Sequence, residues 1–200
     1  SNGISTNGEM GREMIIESEQ VPTQAPTSVP SAGGVYYVAK TGNNSDGLSW
    51  ATAWNELNQI QWGEIRPGDT IRISGGEVSR TYSTAITART SGAAGKPITI
   101  SKGTDPGHNG KVVLEGPGSG IGITIKNIDY ITISRLSFRG WAKAISISGS
   151  SGSSYSESGA SQYIVIEDNA IYGSAGTSIF IQTSSQVTVR RNKITTPEWV

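Results

Sequence analysis

Five charged side chains near the C-terminus have the types and spacing that could do chemistry. Glu167 and Asp168 sit in the segment QYIVIEDNAI (162–171), and Arg190, Arg191 and Lys193 sit in SQVTVRRNKI (185–194). Carboxylates beside guanidinium and ammonium groups can serve a hard cation and a base. The same mixture also makes stacked ion pairs on neighbouring strands. Two carboxylates fall short of the six to eight oxygens that calcium takes, so the ion-pair reading accounts for these residues first. His108, the one histidine, lies in the turn-rich run TDPGHNGK and reads as a solvent-exposed turn residue. The Ser/Gly run SGSSGSSYSESG (148–159) has no His or Asp at a spacing that would activate a serine. Among the aromatics, Trp141, Tyr155 and Tyr172 are candidates for stacking on sugars, whereas Trp54 reads as core.

A repeat positions the charged residues. Three segments say nearly the same thing: DYITISRLSF from 129, QYIVIEDNAI from 162 and SQVTVRRNKI from 185. Ile131, Ile164 and Val187 fall in one column, Ile133, Ile166 and Val189 in a second, and Phe138, Ile171 and Ile194 in a third. Between them lie ITIK (123–126), AISIS (144–148) and SIFIQ (178–182). Short alternating strands recurring at roughly 22 residues, with the Ser/Gly run as an insertion, describe a coiling chain in which each strand stacks on its equivalent one coil earlier. Asn169 and Asn192 then share a turn position and form a side-chain ladder, with Leu136 in their place on the first coil. Ser134, Glu167 and Arg190 align, as do Arg135, Asp168 and Arg191. Opposite charges one above the other favour that register by roughly 0.2–1 kcal/mol per pair.

Composition sets the outer bounds. The chain has 200 residues, 26 of them Gly, no Cys, and 16 basic against 16 acidic side chains. Only 34% of residues are hydrophobic, which suits a thin solenoid with one inward column per face. Zero net charge argues against a nucleic-acid role. No apolar run approaches the roughly 20 residues of a membrane span. Residues 1–34 are polar, with Pro22, Pro26 and Pro30 in a Pro/Thr/Ser stretch that reads as an extended tail or linker. Within it Met14-Ile15-Ile16 is a short apolar stretch able to add as a strand to another subunit. Residues 35–200 form the folded domain. It opens with VYYVA, a turn at TGNNSDG, and an expected helix over about 51–62 with Trp54, Leu57 and Ile60 on one stripe. The Asn-Asn-Ser-Asp-Gly run fails the EF-hand spacing, because Ala53 stands where the terminal Glu belongs. RPGDTIRIS, TYSTAITART, KPITISK and KVVLEG follow as strands divided by turns.

The succession YYVAKTGNNSDGLSWATAW, RPGDTIRIS, KPITISK and KVVLEG, then YITISRLSF and YIVIEDNAI, resembles the N-terminal portion of right-handed parallel β-helix proteins of the pectate-lyase-like superfamily. It departs from them at Gly76-Glu77-Val78, where relatives carry Gly-x-Tyr. The resemblance implies an all-β, right-handed parallel β-helix with a short capping helix, secreted or at a cell surface. It also implies an alternative function: the N-terminal part of a polysaccharide lyase using calcium-assisted β-elimination on a pectate- or alginate-type glycan. In that case Lys193 or Arg191 would be the base, and Glu167 and Asp168 the calcium ligands. The reading preferred from the residues is a non-catalytic extracellular module, without cofactor or metal, acting by polysaccharide adhesion or by end-to-end assembly into a homo-oligomer or filament. Met14, Ile15, Ile16, Val187 and Val189 are its assembly positions.

Overall fold

A computed structural model describes residues 33–150, 159–173 and 176–195. Fifteen strands follow one another along the chain: β1 Val35–Val38, β2 Thr70–Ile73, β3 Ser79–Tyr82, β4 Ile86–Thr87, β5 Ile98–Lys102, β6 Lys111–Glu115, β7 Ile121–Lys126, β8 Ile131–Ser134, β9 Ser137–Arg139, β10 Lys143–Ser148, β11 Ser161–Glu167, β12 Ala170–Tyr172, β13 Thr177–Gln182, β14 Ser184–Arg190 and β15 Lys193–Thr195. Every third strand from β2 onward returns to the same sheet. Sheet A is ordered β1-β2-β5-β8-β11-β14, sheet B β3-β6-β9-β12-β15, and sheet C β4-β7-β10-β13. All pairings between these strands are parallel. The domain is a parallel β-helix.

Columns of like residues hold the register. Ile71, Ile100, Ile133, Ile166 and Val189 stack along sheet A, with Ile98, Ile131, Ile164 and Val187 beside them. Sheet C stacks Ile123, Ile145 and Ile179, and next to them Ile125, Ile147 and Ile181. Sheet B contributes Tyr82, Leu114, Phe138, Ile171 and Ile194. From β2 to β12 these side chains are buried, each worth about 1.5–3 kcal/mol of apolar transfer. A slip of one residue would expose a whole column. No described strand lies beyond β13, β14 and β15, so Ile181, Val189 and Ile194 are 44%, 43% and 50% exposed although they point inward. Val187 keeps partial cover.

The equivalent positions Leu136 and Asn169 lie 33 residues apart, whereas Asn169 and Asn192 lie 23 apart. The difference is taken up by the long connection between β10 and β11, which carries the Ser/Gly run.

The expected helix over 51–62 is corrected. That segment forms turns and one 3-10 helix, Leu57–Gln59. Trp54 spends its backbone groups on the edge of β1, its N–H donating to Tyr37 O and its carbonyl accepting from Ala39 N. A residue bound to a strand on both sides has no backbone left for an i to i+4 ladder. Burial followed the stripe all the same: Trp54, Leu57 and Ile60 all enter the core and close its N-terminal end. The Trp54 ring stacks on Tyr36 with centroids 5.4 Å apart. The Asn-rich turn before it is held by side-chain caps, Asn43 Oδ1 accepting from Ser45 N and Asp46 Oδ1 from Leu48 N.

Candidate functional site

The charge cluster forms where sheet A turns into sheet B. The corner is made by Arg135, Asp168 and Arg191 on successive coils, each in the left-handed backbone region with φ of 58°, 56° and 53°. Arg191 grips Asp168 with two bonds of 2.8 Å and reaches Glu167 Oε2 at 2.8 Å, while Arg190 Nε meets the same oxygen at 2.7 Å. These bonds hold both carboxyls below their ordinary range, Glu167 chiefly through Arg190 and Asp168 chiefly through Arg191. The Arg191 guanidinium is pushed the other way, mainly by Asp168. A guanidinium so held stays protonated and cannot serve as a base, and both Asp168 oxygens and Glu167 Oε2 are already spent on cations. Lys193 is exposed on β15, next to Ala170 of β12. Arg190, Arg191, Glu167 and Asp168 are therefore together as an ion-pair ladder, with Lys193 on the following strand β15. Among the described residues no three His, Asp or Glu side chains are grouped to hold a metal.

The aromatic candidates separate. Trp141 is corrected: it is 5% exposed, with its indole N–H donating to Leu114 O at 3.1 Å and its ring wedged beside Gly116, so its faces are used inside the fold. Tyr172 is half-buried on β12, with the Lys111 ammonium 4.8 Å from its ring centroid. Tyr155 lies outside the described residues, as do Met14, Ile15 and Ile16.

His108 is also corrected. It is half-buried, its ring lies flat on Trp50 at 3.8 Å, and its Nδ1 is 2.8 Å from Ser74 Oγ. Trp50 in turn donates to Asp105 Oδ2 at 2.8 Å. Burial pulls the imidazole below its ordinary value, against the opposing effect of Asp105. Ser74 is 5% exposed and accepts from Gly76 N, so the pair clamps the 103–110 connection to the end of β2.

Sequence reasoning passed over Tyr130 and Tyr163. They occupy one column, immediately before Ile131 and Ile164, and the aligned segments already place them together. Both are in the left-handed region, with φ of 55° and 56°, and Gln186 continues the column at 52°. Their rings stack at 4.4 Å and 5°. Burial, and then the neighbouring Tyr163, pushes the Tyr130 hydroxyl upward in pKa. Tyr163 remains 41% exposed. Beside the pair runs a groove of about 430 Å³ over the outer face of sheet A, lined by Gly95, Pro97, Thr132, Val165, Gln186, Val187 and Thr188. It crosses the coils of β5, β8, β11 and β14, about 14 Å at the ordinary strand spacing.

No family model matches the sequence, and no curated protein does either. A solved structure does: a GH136 lacto-N-biosidase from Eubacterium ramulus, crystallised as the selenomethionine derivative, is similar with a TM-score of 0.54 and 15% identity. The match covers 80% of this chain and 34% of that one, so the chain spans about a third of its neighbour's length. What the two share at that identity is the fold, a parallel β-helix.

Proposed function

We propose that these coils form an extracellular glycan-binding module that acts by contact, through the Tyr130–Tyr163 groove, with no catalytic centre of its own. The observation that carries this reading is the placement of two bulky aromatics at left-handed corners, one of them 41% exposed. For a side chain with a Cβ that backbone costs roughly 1–2 kcal/mol. Ring stacking returns about 0.5–1.5 kcal/mol, so the fold gains little from tyrosine there. An exposed aromatic face offers a pyranose ring an apolar surface, while Thr132, Gln186 and Thr188 along the groove supply hydroxyl and amide partners. The structural neighbour is by its description a lacto-N-biosidase, so this fold is also found in a saccharide-acting protein.

Tyr163→Asn tests the reading. Asn tolerates the left-handed region better than most residues, so the variant is expected to melt at or above the parent temperature. In affinity electrophoresis through pectate, alginate and chondroitin, its affinity for a glycan that retains the parent should fall on the order of tenfold. A variant that binds like the parent removes the groove from the function.

A further inference from the structure

A second surface, of different chemistry, lies on the A–B corner. Lys102 ends β5, Lys111 begins β6, and Arg135 forms the corner of the next coil; together they line a depression of about 250 Å³. Its floor is made of small side chains, Ser137 and Ala170 in one outward column. The partners of the two lysines are neutral: Lys102 Nζ donates to Asn109 O at 2.9 Å, and the Lys111 ammonium lies over the Tyr172 ring. The single carboxylate lining the depression is Asp168, and Arg191 already grips it with two bonds. Three cations therefore face the depression against one carboxylate, which Arg191 already grips and whose charge Arg135 also feels, so the depression is net positive on a chain whose formal net charge is zero.

We propose that this depression binds a sulfate ester carried on a glycan. A carboxylate offers two oxygens and is filled by one guanidinium, as Asp168 is by Arg191. Three cationic groups arriving from two strand ends and a corner match the three terminal oxygens of a sulfate instead. A sulfate ester also stays anionic through the whole working pH range. The site is separate from the tyrosine groove and does not depend on it.

The test is titration of the chain with dextran sulfate, unsubstituted dextran, polygalacturonate and inorganic sulfate. Dextran sulfate is expected to bind, more weakly as salt is raised, with dextran silent and polygalacturonate at least about tenfold weaker. Arg135→Asn keeps a residue suited to the left-handed corner, so it should fold as the parent does yet lose about tenfold in affinity. Lys111→Gln should lose as much, while Lys126→Gln, on sheet C, should change nothing. The Tyr163→Asn variant should bind dextran sulfate normally, which separates this site from the groove. Parent-like binding by Arg135→Asn, or equal binding of polygalacturonate, would overturn the proposal. Inorganic sulfate binding as tightly as the polymer, site for site, would overturn the glycan as its source.

Discussion

Asp69→Ala is expected to lower stability by about 3–5 kcal/mol, the largest loss foreseen for a single polar side chain here. Asp69 is 5% exposed at the entrance to β2. Its Oδ1 accepts from Gly34 N and its Oδ2 from Arg66 N, both at 2.7 Å. The first bond fixes the chain just before β1, and the second closes the Arg66–Asp69 turn that starts the coil. Alanine would remove two short charge-assisted bonds at once and leave both backbone donors without their carboxylate partner. Asn, which keeps one acceptor oxygen, should lose about half as much. Chemical denaturation of the three proteins checks this, and an alanine variant within about 1 kcal/mol of the parent would show that the turn forms without the carboxylate.

Asn169→Ala should cost about 2–4 kcal/mol, more than Asn192→Ala, because Asn169 serves two coils. Its Oδ1 accepts from Leu136 N at 3.0 Å, and its Nδ2 donates to Ile133 O at 3.1 Å and to Asn192 Oδ1 at 3.0 Å. Asn192 Oδ1 also takes the Asn169 N–H, while its Nδ2 donates to Ile166 O at 2.8 Å. The Asn169 side chain is buried at 2% exposure, whereas Asn192 lies on the last described coil and is half-buried. Water can replace part of what Asn192 does and little of what Asn169 does. Thermal melts of both variants decide the order, and the reverse order would mean that the ladder is anchored from the open end.

The parts of this fold that follow a column were legible in the amino-acid sequence. Ile131, Ile164 and Val187 align by eye because parallel stacking repeats the same demand on each coil. The Asn ladder and the Glu167–Arg190 and Asp168–Arg191 pairs follow from the same alignment. What escaped was whatever depends on contacts outside a column. Trp54, Leu57 and Ile60 share a helical spacing, but a chain laid across the end of a solenoid buries the same three residues without a helix. Trp141 carries no sign that Gly116 opens a slot for its ring. His108 lies 34 residues from the serine it bonds, across one coil. Tyr130 and Tyr163 were in plain alignment; what the sequence hid was their left-handed backbone, which is what sets them apart from ordinary surface tyrosines.

Binding without turnover is the central claim, and one measurement addresses both halves of it. The chain is incubated with pectate, alginate and chondroitin in the presence of calcium, following retention by affinity electrophoresis and product by new reducing ends and unsaturated-product absorbance. Retention of at least one glycan with no product at any time is the expected result. Calcium-dependent product that disappears in Asp168→Asn or Lys193→Gln would contradict the account and make the ion-pair ladder at the A–B corner a catalytic site.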